Sequence, residues 1–322
     1  MSHINHGTAP RVSIGLPVHN GEDYLEQAID SLLAQSFRDF QLIISDNAST
    51  DRTEDICRWY AARDSRVMYH RLQTNRGATF NFNHVFRMSH GEYFKWAASD
   101  DVCAPNLVER CVEVLDTNPD VVWCHAQSAK IDGHGRMLGP DDPLAEGMAH
   151  TSAAGHPRSF YNSPKCHRRF AGVLLGTNWC ADAYGLMRSD ALRKTRLYPA
   201  CFGSEKVLLA ELALLGAYQE IPETLFFKRT HAKAASSLGS ASAQAAFANP
   251  AAKSSVLRNR LHLLSAHLAA IRNVKMGPYQ RFMCYWVLLR YLLQVHKWRR
   301  IFREAFRDTA IGALPRRQEQ SS

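Results

Sequence analysis

Short apolar segments alternate with amphipathic segments over the first hundred residues, and this alternation restricts the possible folds more than any other feature. Strands are expected at residues 11–17, where Pro17 ends the first of them, and at 40–45, 66–72 and 92–98. Apolar residues at helical spacing predict helices at 22–35, 53–62 and 80–88. Repeated strand–helix units of this length are typical of the α/β class, with a mostly parallel sheet flanked by helices.

Polar residues follow each of these strands at its carboxyl end, which is where parallel sheets bind ligands. They are Pro17-Val18-His19-Asn20, Asp46, Asn75-Arg76-Gly77 and Asp100-Asp101. Ordinary turn chemistry explains any one of these segments, because Asn, Asp and Gly favour turns. It explains less well why acids recur at strand ends with no G-x-G-x-x-G loop, a combination that argues against a dinucleotide site of the dehydrogenase kind.

Asp100 and Asp101 are adjacent carboxylates at the end of an apolar strand. Like charges side by side repel, and ionised carboxylates are rarely buried without a partner. Mg²⁺ and Mn²⁺ prefer oxygen ligands, and one or two carboxylates plus substrate phosphates commonly hold them. The pair therefore indicates a divalent-cation site, and the alternative is a loop that caps a helix starting at Pro105.

The basic residues are concentrated at the C-terminal end. Residues 253–322 contain 14 Lys and Arg against 3 Asp and Glu, whereas the rest of the chain contains 25 against 27. We therefore predict an α/β domain at 1–252 and a basic helical extension at 253–322, with helices at 256–271 and 279–306. The second helix interleaves aromatic and basic residues, a pattern typical of helices on an anionic membrane surface. Packing on the α/β domain is the alternative for the second helix and the expectation for the first, and no nucleic-acid-binding module is visible.

The cysteines and the N-terminal residues bear on the compartment. Eight cysteines are scattered without a C-x-x-C pair, so neither a structural zinc site nor a redox motif is expected. Residues 1–11 contain no long apolar run that would indicate a secretory signal. We expect a cytoplasmic protein, peripheral at the inner face of the membrane if the basic helices contact lipid.

Four segments in this order resemble the inverting family 2 glycosyltransferases, which have the GT-A fold. They are Val12–Asn20, Leu42–Asp51, Asn75–Gly77 and Ser99–Asp101, and the resemblance covers residues 10–230. It implies metal-dependent transfer of a sugar, with inversion, from a nucleotide-diphosphate sugar to an acceptor hydroxyl. The implied donor is a UDP-sugar, the cofactor Mn²⁺ or Mg²⁺, and the acceptor a glycan or a lipid-linked molecule in polysaccharide or cell-surface glycan biosynthesis.

The resemblance also implies roles for individual residues. Nucleotide contacts are implied for Pro17, Val18, His19, Asn20, Asp46, Asn75, Gly77 and Asp100. Asp101 would bind the metal with His231, and Arg229 would reach the diphosphate. Because the chain has Ser-Asp-Asp where many relatives have Asp-x-Asp-Asp, one protein carboxylate is expected on the metal rather than two. A solvated basic turn is the alternative for Arg229 and His231.

The catalytic base is implied at Glu205, at the start of a Leu-rich helix, although the local sequence is Ser-Glu-Lys rather than a Glu-Asp pair. Taken from the residues alone, Glu205 is also a first-turn acid stabilised by the helix dipole. Glu211 on the same helix is expected at the surface.

Trp179 and Asp182 are implied sugar or acceptor contacts, with a core tryptophan and a turn acid as alternatives. Residues 132–165 are expected to form an irregular insertion, and 232–252 a mobile loop over the donor.

Two other functions compete with this interpretation. A sugar-nucleotide pyrophosphorylase has a similar sheet but needs a basic Gly-rich loop after the first strand, whereas His19–Asp23 is acidic. A non-catalytic, membrane-associated scaffold that kept the fold is the second alternative, and the Ser-Glu-Lys departure leaves it open.

Overall fold

The computed structural model describes residues 9–139, 142, 162–176, 181–234, 237–238, 241–250 and 256–293. The strands in these ranges are β1 Val12–Val18, β2 Phe40–Asp46, β3 Val67–Arg71, β4 Tyr93–Trp96, β5 Val102–Cys103, β6 Val121–Ile131, β7 Leu186–Arg188 and β8 Ala217–Arg229. The α-helices are α1 Leu25–Leu33, α2 Thr53–Ala61, α3 Ala78–Arg87, α4 Leu107–Thr117, α5 Cys166–Ala171, α6 Ser189–Arg193, α7 Glu205–Leu215, α8 Ala241–Ala248, α9 Val256–Asn273 and α10 Pro278–Leu292.

The strands form one sheet in the order β3-β2-β1-β4-β7-β6-β8-β5. β3, β2, β1 and β4 are parallel, so their carboxyl ends meet at one edge. β7 is antiparallel to β4 and β6, and β5 is antiparallel to β8, whereas β6 and β8 are parallel. The predicted α/β sheet with flanking helices is confirmed, and the antiparallel β7 makes it a mixed sheet.

β1 continues through Pro17 to Val18, so the prediction that the proline ends this strand is wrong. The Ala97 N–H donates to the Gly15 carbonyl, which shows that this residue directs its backbone groups toward β4. Pro17, two residues further, directs its nitrogen to the same side. The register with β4 ends at Gly15, so no ladder hydrogen bond is lost by the missing N–H of Pro17.

Buried apolar side chains form two clusters, one on each face of the sheet. Leu42 and Ile44 belong to the first cluster and Ile43 to the second, because successive side chains of a strand point to opposite faces. The first cluster includes residues of α1, α2 and α4, and the second includes residues of α3, α7, α9 and α10.

The C-terminal helices pack on the α/β domain through this second cluster. Ala270 of α9 and Cys284 of α10 are fully buried in it. Both helices therefore pack on the α/β domain. The part of the second predicted helix beyond Leu293 lies outside the described residues. Across the ranges that the structure describes, no helix has the length and apolar character needed to cross a bilayer. The boundary between residues 252 and 253 stays a prediction.

The loop predicted at 232–252 contains a helix, α8, so that prediction is wrong in part. The Thr79 hydroxyl donates to the Ala248 carbonyl at 2.8 Å, which ties α8 to α3. Gly77 has a φ of 83°, and a Cβ there would lie 2.6 Å from the Ala248 carbonyl oxygen. Glycine is therefore required at the point where α8 meets the start of α3. Of the predicted insertion, only residues 132–139, 142 and 162–165 are described.

Glu211 is buried rather than exposed, contrary to the prediction. Its side chain is 3% exposed and lies 2.7 Å from Arg196 Nε, and it also accepts the Arg196 N–H at 2.8 Å. The pair connects α7 to the segment that follows α6.

We expect Glu211→Gln to destabilise the protein by about 2 kcal/mol, because it leaves the Arg196 guanidinium without its carboxylate. Thermal unfolding followed by circular dichroism measures this change. Glu223→Gln, in which the substituted side chain is 41% exposed, is the control and should leave the melting temperature unchanged. Equal melting temperatures for the two variants would contradict the structural role of Glu211.

Candidate active site

A cleft of about 420 Å³ opens at the carboxyl ends of β1, β2 and β4. Its volume is in the range of small-molecule sites. Eight of the predicted site residues line it: Pro17, Val18, His19, Asn20, Asn75, Asp100, Asp101 and His231. Other residues that line it include Tyr24, Asn47, Asn81, Phe82, Tyr184, Lys228 and Phe247. The sheet therefore brings most of the predicted residues together from separate parts of the chain.

One wall of the cleft is a row of hydrogen-bonding side chains formed by His19, Asn75 and Asn47. Asn47 Nδ2 donates to Asn75 Oδ1 at 2.9 Å, and Asn75 Nδ2 lies 3.0 Å from His19 Nε2. The Gly77 N–H donates to the same Asn75 oxygen at 2.8 Å. The row joins the loops after β1, β2 and β3 and presents amide and imidazole groups at a common edge.

Asp46 lies behind this wall. It is fully buried, and its carboxylate accepts hydrogen bonds from the Ser49 N–H at 2.8 Å and the Tyr69 hydroxyl at 2.9 Å. Arg71 Nε lies 3.3 Å from the same carboxylate. Asp46 therefore holds the turn that presents Asn47, and neither it nor Gly77 is among the residues lining the cleft. A contact of either residue with a nucleotide stays a prediction.

The two adjacent carboxylates, Asp100 and Asp101, line the same cleft. Asp101 is 5% exposed, and one of its oxygens accepts the Arg229 N–H at 2.9 Å. Burial, together with the neighbouring charge of Asp100, raises the pKa of Asp101 to about 7. Asp100 Oδ2 lies 2.9 Å from His231 Nε2, and the His231 ring packs on Tyr24.

These residues fit a hard divalent cation. The ionised form of Asp101 is disfavoured by burial and by Asp100, and a bound cation would remove that repulsion. Within the described ranges no three His, Cys, Asp or Glu side chains are grouped as metal ligands. Substrate oxygens and water would complete the coordination, as is common for Mg²⁺.

Arg229 is 1% exposed, and its guanidinium is engaged by protein groups. Nε donates to the Asp100 carbonyl at 2.8 Å and Nη2 to Gln27 Oε1 at 2.7 Å. Nη1 donates to the carbonyls of Asp132 and Gly133, both at 3.1 Å. Arg229 therefore fixes the backbone of the acid pair, and it is Lys228 that lines the cleft from this strand.

Glu205 is the first residue of α7 and is half-buried. Burial raises the pKa of its carboxyl group, and the charge of Lys228 opposes this shift. The same lysine opposes the rise in the pKa of Asp101. Glu205 is not among the residues that line the cleft, whereas Lys228, whose charge acts on both Glu205 and Asp101, does line it.

A second cavity of about 510 Å³ lies between residues 196–202, α8 and α9. Ala246 and Phe247 of α8 line the cleft, whereas Ala245 and Ala248 line the second cavity. Cys201 lines this cavity too, and burial together with the charge of Glu205 raises the pKa of its thiol to about 11. Glu205 itself follows Phe202, another residue of this cavity, by three positions.

Of the two predicted sugar or acceptor contacts, Asp182 is described by the structure and Trp179 is not. Asp182 is mostly buried, with its carboxylate 3.6 Å from His125 Nδ1, and burial raises its pKa. It is not among the cleft residues, whereas its neighbour Tyr184 is. Trp179 lies outside the described residues. Both contacts stay predictions.

Sequence reasoning missed Lys228, Asn47 and Phe247. Lys228 and Asn47 are direct neighbours of the predicted Arg229 and Asp46, and the alternation of side chains along β8 was the signal that would have distinguished Lys228 from Arg229. Phe247 is the only aromatic residue in an Ala- and Ser-rich segment. A single large side chain in such a segment indicates a residue that packs against another part of the protein, here the cleft.

The chain is similar to several glycosyltransferases. It is 34% identical over 119 residues to an uncharacterized glycosyltransferase of Rickettsia typhi, an alignment that covers 36% of each chain. It is 28% identical over 230 residues to an uncharacterized glycosyltransferase of Nostoc sp., covering 69% of this chain and 65% of that protein. With the putative glycosyltransferase EpsE of Bacillus subtilis it shares 34% identity over 110 residues, covering 34% of this chain and 40% of that protein. The matched part of each relative is thus less than two thirds of its length.

Solved structures show the same fold. S. aureus TarS 1–349 in complex with UDP-GlcNAc aligns with a TM-score of 0.59 at 16% identity, over 88% of this chain and 71% of that one. The mannosyltransferase PcManGT from Pyrobaculum calidifontis, in complex with GDP-Man and Mn²⁺, aligns with a TM-score of 0.55 at 16% identity, over 96% and 77%. The chain has the GT-A fold. A model of glycosyl transferase family 2 matches residues 13–194, more than half of the sequence, and the protein belongs to that family.

Proposed function

We propose that the protein transfers a sugar from a nucleotide-diphosphate sugar to an acceptor hydroxyl with inversion, and that the donor is a UDP-sugar. The observation that carries the proposal is one cleft that combines the His19–Asn75–Asn47 row with Asp101 and Lys228. Amide and imidazole groups suit a nucleotide base, and a cation site next to a lysine suits a diphosphate. The structures of TarS with UDP-GlcNAc and of PcManGT with GDP-Man and Mn²⁺ support this class of donor.

The reaction is a direct displacement. The acceptor hydroxyl attacks the anomeric carbon from the side opposite the diphosphate, and the bond from that carbon to the diphosphate oxygen breaks. Glu205 accepts the hydroxyl proton as general base, for which its raised pKa suits it. Lys228 provides positive charge for the leaving diphosphate. Asp101, with His231 nearby, would hold Mn²⁺ or Mg²⁺. The bound ion would also neutralise the negative charge of the leaving diphosphate.

We assign the acceptor to the side of the second cavity, because Glu205 follows Phe202 of its wall by three positions and the charge of Glu205 acts on Cys201 there. The acceptor class is a glycan or a lipid-linked molecule of polysaccharide or cell-surface glycan biosynthesis. A cytoplasmic location, with the basic helices on the inner face of an anionic membrane, belongs to the same proposal. Nucleic acid is not a proposed partner.

Donor binding is tested by thermal shift with UDP-, GDP- and dTDP-sugars in the presence of Mn²⁺. We expect UDP-sugars to raise the melting temperature, because a ligand that binds only the folded state stabilises it. A donor that stabilises the protein is then tested for release of UDP in the presence of the protein. An enzyme releases UDP, whereas a non-catalytic scaffold does not. No shift with any nucleotide sugar would contradict the proposed donor class.

We expect Lys228→Met to lower kcat/KM for the donor by at least about 10-fold, because the leaving diphosphate loses a cation. Lys233→Met is the matched control, since Lys233 also lines the cleft but is 75% exposed and pairs with Asp23. Its effect should be within about 2-fold, as for exposed ion pairs. Equal losses in the two variants would show that only general positive charge matters at this cleft.

A further inference from the structure

We propose that α10 docks the protein onto an anionic lipid bilayer through an apolar stripe formed by Tyr279, Phe282, Trp286, Leu289 and Leu293. This inference deepens the membrane contact of the proposed function, on which it rests in that respect, and it does not depend on any residue of the cleft. It identifies the surface of this chain that contacts lipid and the orientation of α10 that this contact requires.

The stripe lies on one face of the helix. Its residues are separated by three or four positions, a spacing that places side chains in a row along a helix. Each of the five is between 43% and 65% exposed. Contiguous exposed apolar patches of more than a few hundred Å² often mark an interaction site on a soluble protein.

The opposite face of α10 is fixed to the protein. Cys284, Val287 and Leu288 are at most 4% exposed and belong to the cluster formed with α7 and α9. The orientation of the helix is therefore set by packing, and the stripe faces outward as a consequence. Gln280 adds to this anchoring, because its Oε1 lies 2.5 Å from His167 Nδ1 in α5.

The helix that carries the stripe and the helix before it are cationic. Residues 256–293 contain six basic residues and no Asp or Glu. Arg272, Lys275 and Arg290 are exposed, Arg290 directly follows Leu289 of the stripe, and neither α9 nor α10 contains an acidic side chain that would neutralise them. Basic residues near a membrane surface are attracted to anionic lipids, by about 1 kcal/mol each.

This charge selects the bilayer over a second copy of the chain. Two copies meeting through their stripes would bring two helices of the same positive charge together, which is unfavourable. An anionic bilayer offers both an apolar layer for Phe282 and Leu289 and negative headgroups for the basic residues. Tyr279 and Trp286 carry an apolar ring with one polar group, a combination enriched at membrane interfaces.

Sedimentation of the full-length protein with vesicles tests the proposal. The vesicles are phosphatidylcholine alone or with about 30% phosphatidylglycerol, the anionic component. We expect binding to the anionic vesicles, at least about 10-fold weaker binding to the neutral ones, and a decline as NaCl is raised. The triple variant Phe282→Ser/Trp286→Ser/Leu289→Ser should lose binding at unchanged melting temperature, because all three side chains are exposed.

Two further variants make the result specific. Trp59→Ser/Met137→Ser removes exposed apolar side chains outside the stripe and should bind like the parent. Arg272→Glu/Lys275→Glu/Arg290→Glu keeps the stripe and should lose binding to anionic vesicles. Parental binding by the Phe282/Trp286/Leu289 variant would overturn the proposal. So would a concentration-dependent dimer that this variant abolishes, found together with no vesicle binding by the parent. Binding is measured without donor, so failure here leaves the proposed transferase activity standing.

Discussion

Replacing Glu205 with glutamine is expected to reduce sugar transfer by at least about 100-fold, because the acceptor hydroxyl loses its proton acceptor. The fold should remain intact. Burial raises the pKa of Glu205, so its ionised form is disfavoured in the folded protein. The neutral amide removes that cost, and the melting temperature at pH 8 should be unchanged or higher. Product formation and thermal unfolding measure the two effects separately.

The pH dependence provides a second readout for the same residue. A general base must be ionised, and a raised pKa means that Glu205 loses its proton at a higher pH than an ordinary glutamic acid. Activity of the parent should therefore fall on acidification at a pH above the usual range for a Glu. Glu223→Gln, on the surface, is the control and should keep both the rate and the profile. Parental activity in Glu205→Gln would remove this residue from the mechanism.

Replacing Asp101 with asparagine is expected to reduce transfer by about 100-fold or more and to abolish stimulation by Mn²⁺, because the proposed metal ligand is lost. Asparagine still offers an oxygen to the Arg229 N–H, so the local backbone should be retained. The substitution also removes the repulsion between Asp101 and Asp100, and we expect a higher melting temperature without metal. Activity with and without Mn²⁺ and metal-free unfolding are the measurements.

Binding of Mn²⁺ in the presence of UDP, followed by electron paramagnetic resonance, separates metal loss from unfolding. The parent should immobilise the ion and Asp101→Asn should not. Asp116→Asn removes a carboxylate that pairs with Arg11 far from the cleft and should behave like the parent. Undiminished Mn²⁺ binding by Asp101→Asn would assign the cation to other ligands.

The edge of the sheet that forms the cleft was predictable from the sequence because strand periodicity fixes it. Apolar runs that end at Asp46 and Asp100 can be located without coordinates, and parallel pairing brings their ends together. What the sequence does not determine is which side chain at a strand end faces the ligand. Asp46 and Arg229 are charged residues next to the cleft, yet both side chains are buried and bonded to other protein groups. Their neighbours Asn47 and Lys228 line the cleft instead.

Long-range packing explains the other differences. Glu211 sits at a position that a helical pattern assigns to the surface, but Arg196 from a distant segment pairs with it. The Ala-rich residues of α8 have no strong helical pattern of their own, and α3 fixes them through Thr79 and Gly77. Both depend on partners remote in sequence, which local propensity does not encode.

A crystal structure of the protein with UDP and Mn²⁺ tests the central claim most directly. We expect the uracil ring beside Asn47 and Asn75 and the diphosphate between Asp101 and Lys228, with the ion bound to Asp101. UDP bound in the second cavity beside Arg258, with only water next to Asp101 and Lys228, would contradict it.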